Sequence, residues 1–146
     1  MIDKATKSDC MDIAKLAILM WENHTVEELI EEFEAVIQDK ESAIFIVSID
    51  DKKIGFAQCQ LRHDYVEGTK TSPVGYLEGI FIGQEYRKQG YAKMLLSKCE
   101  EWAKEQGCVE FASDCELENE DSLAFHRKMG FEEANRIVCF KKTLKK

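Results

Sequence analysis

Short β-branched apolar runs alternate along this chain with stretches whose apolar positions recur every three or four residues. Ile2 to Ala5 reads as an opening strand. Ser8 or Asp9 can cap a helix whose apolar positions are Ile13, Leu16, Ala17 and Met20. Trp21 to His24 breaks that spacing. Thr25 and Glu28 then form a capping box for a second helix running to about Gln38, with Leu29, Ile30, Phe33 and Ile37 as its buried stripe. Ala43 to Ile49 and Ile54 to Leu61 are apolar runs joined by the turn residues Asp50 to Lys53, which predicts a hairpin. Arg62 to Pro73 is polar and reads as a loop. Val74 to Ile82 is apolar on both faces and predicts the central strand. A helix follows from about Gly90 to about Gln106, with Ala92, Leu95, Leu96, Cys99 and Ala103 on one face and Gly107 as its stop. Cys108 to Ser113 reads as a strand and Asp114 to Glu120 as an acidic loop. A short helix from Asp121 or Ser122 through Met129 ends at Gly130, and Ile137 to Phe140 predicts a last strand. The order β-α-α-β-β-β-α-β-α-β is that of a mixed sheet with helices on its faces, not an alternating doubly wound fold.

The 146 residues suit one domain, 1–146, with one core. Apolar content of 45% and charged content of 33% are ordinary for a globular chain, and a single proline argues against linkers. No apolar run is long enough to span a bilayer and no leader pattern is present, so a cytoplasmic protein is expected. The net charge of −8 disfavours nucleic acid and suits a cationic partner. None of the six cysteines forms Cys-x-x-Cys, so no metal is expected, and Cys59, Cys99, Cys108 and Cys139 read as small core residues.

The most informative chemistry lies at Arg87-Lys88-Gln89-Gly90-Tyr91-Ala92. A strand, a basic glycine-containing turn and a helix N-terminus together make an anion cradle, because the first amides of a helix lack internal partners and its dipole favours negative charge. A diphosphate suits that cradle. The segment lacks both the Gly-Lys-Ser/Thr ending of a Walker A loop and the Gly-x-Gly-x-x-Gly of a dinucleotide fold.

Arg87-x-x-Gly90-x-Ala92 resembles the coenzyme A pyrophosphate loop of the GNAT superfamily of N-acetyltransferases, Gln/Arg-x-x-Gly-x-Gly/Ala. Asn119 followed by Phe125-His126-Arg127-Lys128-Met129-Gly130-Phe131 is similar to that family's late motif. A narrower resemblance is to aminoglycoside 6'-N-acetyltransferases. It is carried by Arg62-His63-Asp64-Tyr65-Val66, by Tyr76-Leu77-Glu78-Gly79-Ile80-Phe81, by Ala112-Ser113-Asp114 with Glu118-Asn119, and by Trp21-x-x-His24. The resemblance implies the GNAT fold, an α+β (α/β) architecture with a central mixed, mostly antiparallel sheet flanked by helices. It implies acetyl-CoA as acetyl donor, direct transfer in a ternary complex and a homodimer. It further implies that Ile80, Phe81, Ile82, Arg87, Lys88, Gln89, Gly90, Tyr91, Ala92 and Asn119 hold the donor, the Ile82 N–H polarising its thioester carbonyl. Trp21, His24 and Tyr65 are then expected to line the acceptor site. Position 126 is His where most of the superfamily has Tyr, which puts the usual Tyr acid in doubt.

Acetylating an amine requires a group that holds the ammonium and helps it lose a proton, since a lysine-like amine has a pKa of about 10.4. Glu78 is the first candidate, because an unpaired charge in an apolar strand is costly. Asp114 follows a strand end and can share the ammonium. His126 can donate a proton to the leaving thiolate or orient a water that does. Two alternatives stay open at this point: a GNAT enzyme for another amine (a polyamine, an amino sugar or a protein amine), and an acetyl-CoA-binding module without turnover.

Overall fold

Strands β1 (Ile2–Lys4), β2 (Ser42–Ile49), β3 (Lys52–Arg62), β4 (Val74–Ile82) and β5 (Phe111–Ser113) form one sheet in that spatial order. Neighbours are antiparallel except β4 and β5, which are parallel, so the sheet is mixed and mostly antiparallel, as expected. The computed structural model describes residues 1–145. They fall into two compact units, Met1–Asp114 and Cys115–Lys146.

Within the first unit the long β2–β3–β4 meander is the scaffold. Its first turn narrows to Asp50 and Asp51, both left-handed (φ 48° and 65°), the geometry that matches the twist of a two-residue hairpin. Helices α1 (Cys10–Ala17) and α2 (Val26–Gln38) cover one face, where Ile13, Ala17, Leu29 and Phe33 pack with Ile44, Ile46 and Phe56. Helix α3 (Tyr91–Glu105) covers the other face: Cys99 meets Cys59 there, and a Cβ on Gly75 would lie 2.6 Å from the Ala103 Cβ. Alternation along the strands sends Phe56 and Cys59 to opposite sides. The predicted capping box forms, with Glu28 N donating to Thr25 Oγ1 and Thr25 N to Glu28 Oε1, each at 3.1 Å.

Several expectations are corrected. The chain enters α1 through a 3₁₀ turn, Lys7–Asp9, so Asp9 stands at the N-cap of α1 as expected, but its side chain does not cap that helix. Asp9 Oδ2 instead accepts from the N–H of Thr6, which caps the 3₁₀ turn, at 2.8 Å. Helix α1 ends at Ala17. Leu19 and Met20 instead make three-residue bonds back to Leu16 and Ala17, so the helical spacing outlasts the helix by one tightened turn. Strand β5 begins at Phe111 rather than Cys108, because the Cys108 N–H is engaged by the Ala103 carbonyl at the end of α3. Cys139 is exposed, whereas Cys59, Cys99 and Cys108 are buried as expected.

The second unit, taken alone, contains α4 (Glu120–Lys128), capped by Asn119 rather than by Asp121 or Ser122; Asn119 Oδ1 accepts from Ser122 N at 3.0 Å. Residues 137–140 are not a strand. Among the described residues no ladder includes them, and Ile137, Val138 and Phe140 are 63%, 77% and 91% exposed. Apolar, β-branched composition signals a wish for burial, but a strand exists only where a partner supplies its hydrogen bonds.

Helices α3 and α4 end alike. Gly107 and Gly130 are left-handed (φ 92° each), and paired bonds close each end: Cys108 N to Ala103 O with Gly107 N to Lys104 O, and Phe131 N to His126 O with Gly130 N to Arg127 O. These are Schellman caps. A Cβ on Gly107 would meet nothing within 4 Å, so Gly107→Ala carries only the backbone penalty. We expect a loss of about 1–2 kcal/mol, read as a fall of about 2–8 °C in the melting midpoint.

Candidate active site

The site begins with a defect in β4. Gln58 pairs with Gly79 while the adjacent Cys59 pairs with Leu77, so Glu78 is an extra residue with no partner on β3. Such a bulge re-aims the side chain it carries. Glu78 is held by Arg62, the last residue of β3. Arg62 Nε donates to Glu78 Oε2 at 3.1 Å and Nη2 to Oε1 at 3.0 Å, a two-pronged ion pair. The guanidinium also stacks 3.4 Å from the centre of the Tyr76 ring. The Tyr76 hydroxyl donates in turn to Asp114 Oδ2. Burial first, then this bond and the Asp114 charge, push the Tyr76 phenol far above its ordinary ionisation range, so it remains a donor. Glu78, Arg62, Tyr76 and Asp114 thus form one continuous polar chain running from the end of β3 across β4 to the residue after β5.

Beside Glu78 lies a cavity of about 260 Å³ lined by Trp21, His24, Glu32, Val36 and Gln58 as well as Glu78 itself. The Trp21 ring reaches it because Gly79 has no side chain; a Cβ there would sit 2.8 Å from Trp21 Cζ2. Phe33 and Phe56, each 6.2 Å from Trp21 between ring centres, fix the indole from behind. His24 Nδ1 is buried with no hydrogen-bond partner, the Glu32 carboxylate standing 3.9 Å away. The cavity therefore offers an aromatic wall, an unsatisfied ring nitrogen and two carboxylates. Tyr65 does not line it and is 75% exposed.

The residues expected to hold the donor in the first unit lie at the far end of β4 and in the turn that follows. Strand β5 pairs only with Gly75–Leu77, so from Glu78 to Ile82 that edge of β4 has no strand partner among the described residues, and Ile80, Phe81 and Ile82 lie along it. An extended polar chain fits such an edge. Beyond it, Arg87 Nε donates to the Ile82 carbonyl at 2.9 Å and ties the following turn to the strand end. Lys88 and Gly90 are both left-handed (φ 64° and 90°), and Gly90 directly precedes α3. The first helical bond runs from Met94 N to Gly90 O, which leaves the amides before it directed out of the helix end. Gln89, Tyr91 and Ala92 complete this turn, and nothing stands within 4 Å of a Cβ built on Gly90. A diphosphate fits: the space is open and the charge of Arg87 and Lys88 adds to the helix end.

In the second unit the His126 ring lies between Phe125 and Phe131, at 5.7 Å and 5.1 Å between centres. Its Nδ1 is 2.7 Å from the Ser122 carbonyl oxygen, which only accepts, so Nδ1 carries a hydrogen. In the neutral ring the lone pair is therefore on Nε2. Asn119 spends its side-chain oxygen on the α4 cap, leaving its amide group outside that bond. Among the described residues no group of three metal-ligating side chains occurs, and no helix is long and apolar enough to cross a membrane.

The Acetyltransferase (GNAT) family pattern matches residues 13–131, which includes the β4 bulge, the turn before α3 and the His126 helix. The chain belongs to the GNAT acetyltransferase family. Among its relatives is the aminoglycoside N(6')-acetyltransferase type 1 of Stenotrophomonas maltophilia, 38% identical over 98% of this chain and 93% of the relative. The enzyme of the same name from Acinetobacter baumannii is 38% identical over 95% of each chain. The solved structure of AAC(6')-Iy with the bisubstrate analog CoA-S-monomethyl-acetylneamine superposes with a TM-score of 0.94 at 35% identity, covering 99% of this chain and 98% of that one. That agreement confirms the α+β GNAT fold that the resemblance implied.

Two members of the polar chain escaped sequence reasoning. Arg62 reads as the first residue of a polar loop, whereas β3 runs on to include it, and the register across that loop decides what it reaches. Tyr76 carried a usable signal: a phenol in a buried strand needs an acceptor for its hydroxyl.

Proposed function

We propose that this GNAT enzyme transfers the acetyl group of acetyl-CoA to the 6'-amine of aminoglycosides, an antibiotic-resistance activity. The observation that carries the reading is the pairing of an upward-aimed carboxylate, Glu78, with an aromatic-walled acidic cavity at an open strand edge that leads to an anion cradle. Acetyl-CoA supplies an activated thioester. Glu78 receives the acceptor ammonium, Asp114 shares its charge, and Trp21 and His24 bound the sugar. The turn from Arg87 to Ala92 grips the diphosphate, while Ile80, Phe81 and Ile82 guide the arm; the resemblance adds Asn119 to the donor-binding residues. His126, with Nδ1 tied to Ser122, releases a proton from Nε2 only when doubly protonated; otherwise it orients a water. The bisubstrate analog bound by AAC(6')-Iy joins both halves in one ligand, which supports direct transfer in a ternary complex.

The family match crosses both compact units, which supports one GNAT domain over 1–146. Exposed Ile137, Val138 and Phe140 support a homodimer, readable by light scattering, and the need for acetyl-CoA supports a cytoplasmic location. The deciding experiment is thiol release from acetyl-CoA with kanamycin A, spermidine and a lysine peptide, with the acetylated nitrogen located by NMR. Acetylation at the 6'-nitrogen of kanamycin is expected; turnover with spermidine or peptide alone would assign another acceptor.

A further inference from the structure

The ion pair at the bulge has a consequence for how a cation enters. Glu78 presents both carboxylate oxygens to Arg62, so an arriving ammonium finds its ligand already engaged. The pair is not sealed off: the two side chains keep 37% and 19% of their exposure, so water and an arriving cation reach it. Arg62 also has a second residence. Its Cζ lies over the Tyr76 ring, 3.4 Å from the ring centre, a contact separate from Glu78, and the Asp114 charge reaches it too. A cation with two anchors can give up one and stay in place.

We propose that Arg62 is a resident counter-cation which occupies Glu78 until an acceptor ammonium displaces it, so that Arg62 sets the affinity for cationic acceptors. The proposal rests on the reading of Glu78 as ammonium ligand. In the resting protein the guanidinium neutralises a carboxylate whose strand is otherwise apolar. On acceptor binding the ammonium takes the Glu78 oxygens, and Arg62 remains on the Tyr76 face. Part of the acceptor's binding free energy is spent on this exchange. Polycations that also engage the Glu32 side of the cavity meet that cost more easily than single amines. Arg62 is thus a positioning residue that acts through Glu78.

Calorimetric binding of kanamycin A to wild type, Arg62→Gln, Arg62→Lys, Glu78→Gln and the Arg62→Gln/Glu78→Gln double variant tests the idea. Arg62→Gln removes the competitor and should tighten binding about three- to tenfold. Arg62→Lys keeps a point charge without the fork and should fall between. The gain should vanish in the Glu78→Gln background, a coupling that a merely structural brace would not produce. Unchanged or weaker binding in folded Arg62→Gln, or an equal gain without Glu78, would overturn the exchange. Should Arg62→Gln not fold, the Arg62 Nε–H resonance of the wild-type protein decides: saturation with kanamycin should shift it, and an unmoved signal rejects displacement. Acetyl transfer is scored separately. Transfer without exchange removes only the role of Arg62, exchange without transfer removes only the enzymatic reading, and no binding to either protein removes both.

Discussion

Replacing Glu78 by Gln should lower kcat/KM for kanamycin A by about 10²–10⁴-fold, the range usual for losing a positioned proton acceptor. The change keeps the shape and removes the charge. A lysine-like amine at neutral pH is uncharged in only about one molecule in 2,500, so most acceptor molecules arrive as ammonium ions. Glu78 sits on the bulge, 19% exposed, where its field is less screened than in water. The acceptor should therefore lose both a ligand and a route for its proton. Acetyl-CoA affinity should stay within about twofold (roughly 0.4 kcal/mol), because the diphosphate turn lies beyond the end of β4. Stability should change by about 1 kcal/mol or less, since Arg62 keeps its place on the Tyr76 ring. Thiol-release kinetics and calorimetry read these arms independently. Kinetics equal to wild type would remove Glu78 from the chemistry.

Gly90→Val should leave a folded protein whose acetyl-CoA affinity falls at least about tenfold, which is about 1.4 kcal/mol. Gly90 has φ 90°, and a β-branched residue there is a severe outlier. No atom lies within 4 Å of the added Cβ, so the damage is to backbone direction rather than to packing. The turn must rotate to relieve the strain, and the amides before Met94 lose their common aim. Gly107→Val is the matched control at the opposite end of α3, with φ 92° and equally open surroundings. Both variants should lose stability, by at least the 1–2 kcal/mol of a left-handed non-glycine residue. Only Gly90→Val should lose acetyl-CoA. Equal affinities in the two folded variants would detach the turn from the donor.

The Glu78 bulge is worth separating from the residue itself. An acid in an apolar strand is visible in one dimension, and the cost of burying it makes a functional reading reasonable. Its aim is not visible. Had β4 paired with β3 without the extra residue, the alternation of faces past that point would be reversed. Gly79 follows the same logic. In the sequence it is one more small residue; in the fold it is the gap through which Trp21 reaches the cavity wall.

Local chemistry was legible because local physics decides it. The Thr25–Glu28 box, the Asp50–Asp51 turn, the start of α3 and the glycine stops at 107 and 130 all follow from contacts within a few residues along the chain. The cradle before α3 belongs to the same class, since a turn and a helix end suffice to make it. Failures came where a partner distant in sequence was needed. Residues 137–140 have strand composition but no ladder among the described residues, and composition cannot supply the other half of a hydrogen bond. Arg62 and Glu78 are sixteen residues apart, Tyr76 and Asp114 thirty-eight. Those separations are closed by strand register, by the bulge and by the parallel β4–β5 pairing. The sequence by itself determined the local elements, and it marked Glu78, Asp114 and the turn before α3 as candidates for the chemistry. Only the tertiary structure decided that Glu78 is held by Arg62, that Tyr76 links the pair to Asp114, and that Trp21 walls the cavity, because such contacts depend on register and packing rather than on neighbours along the chain.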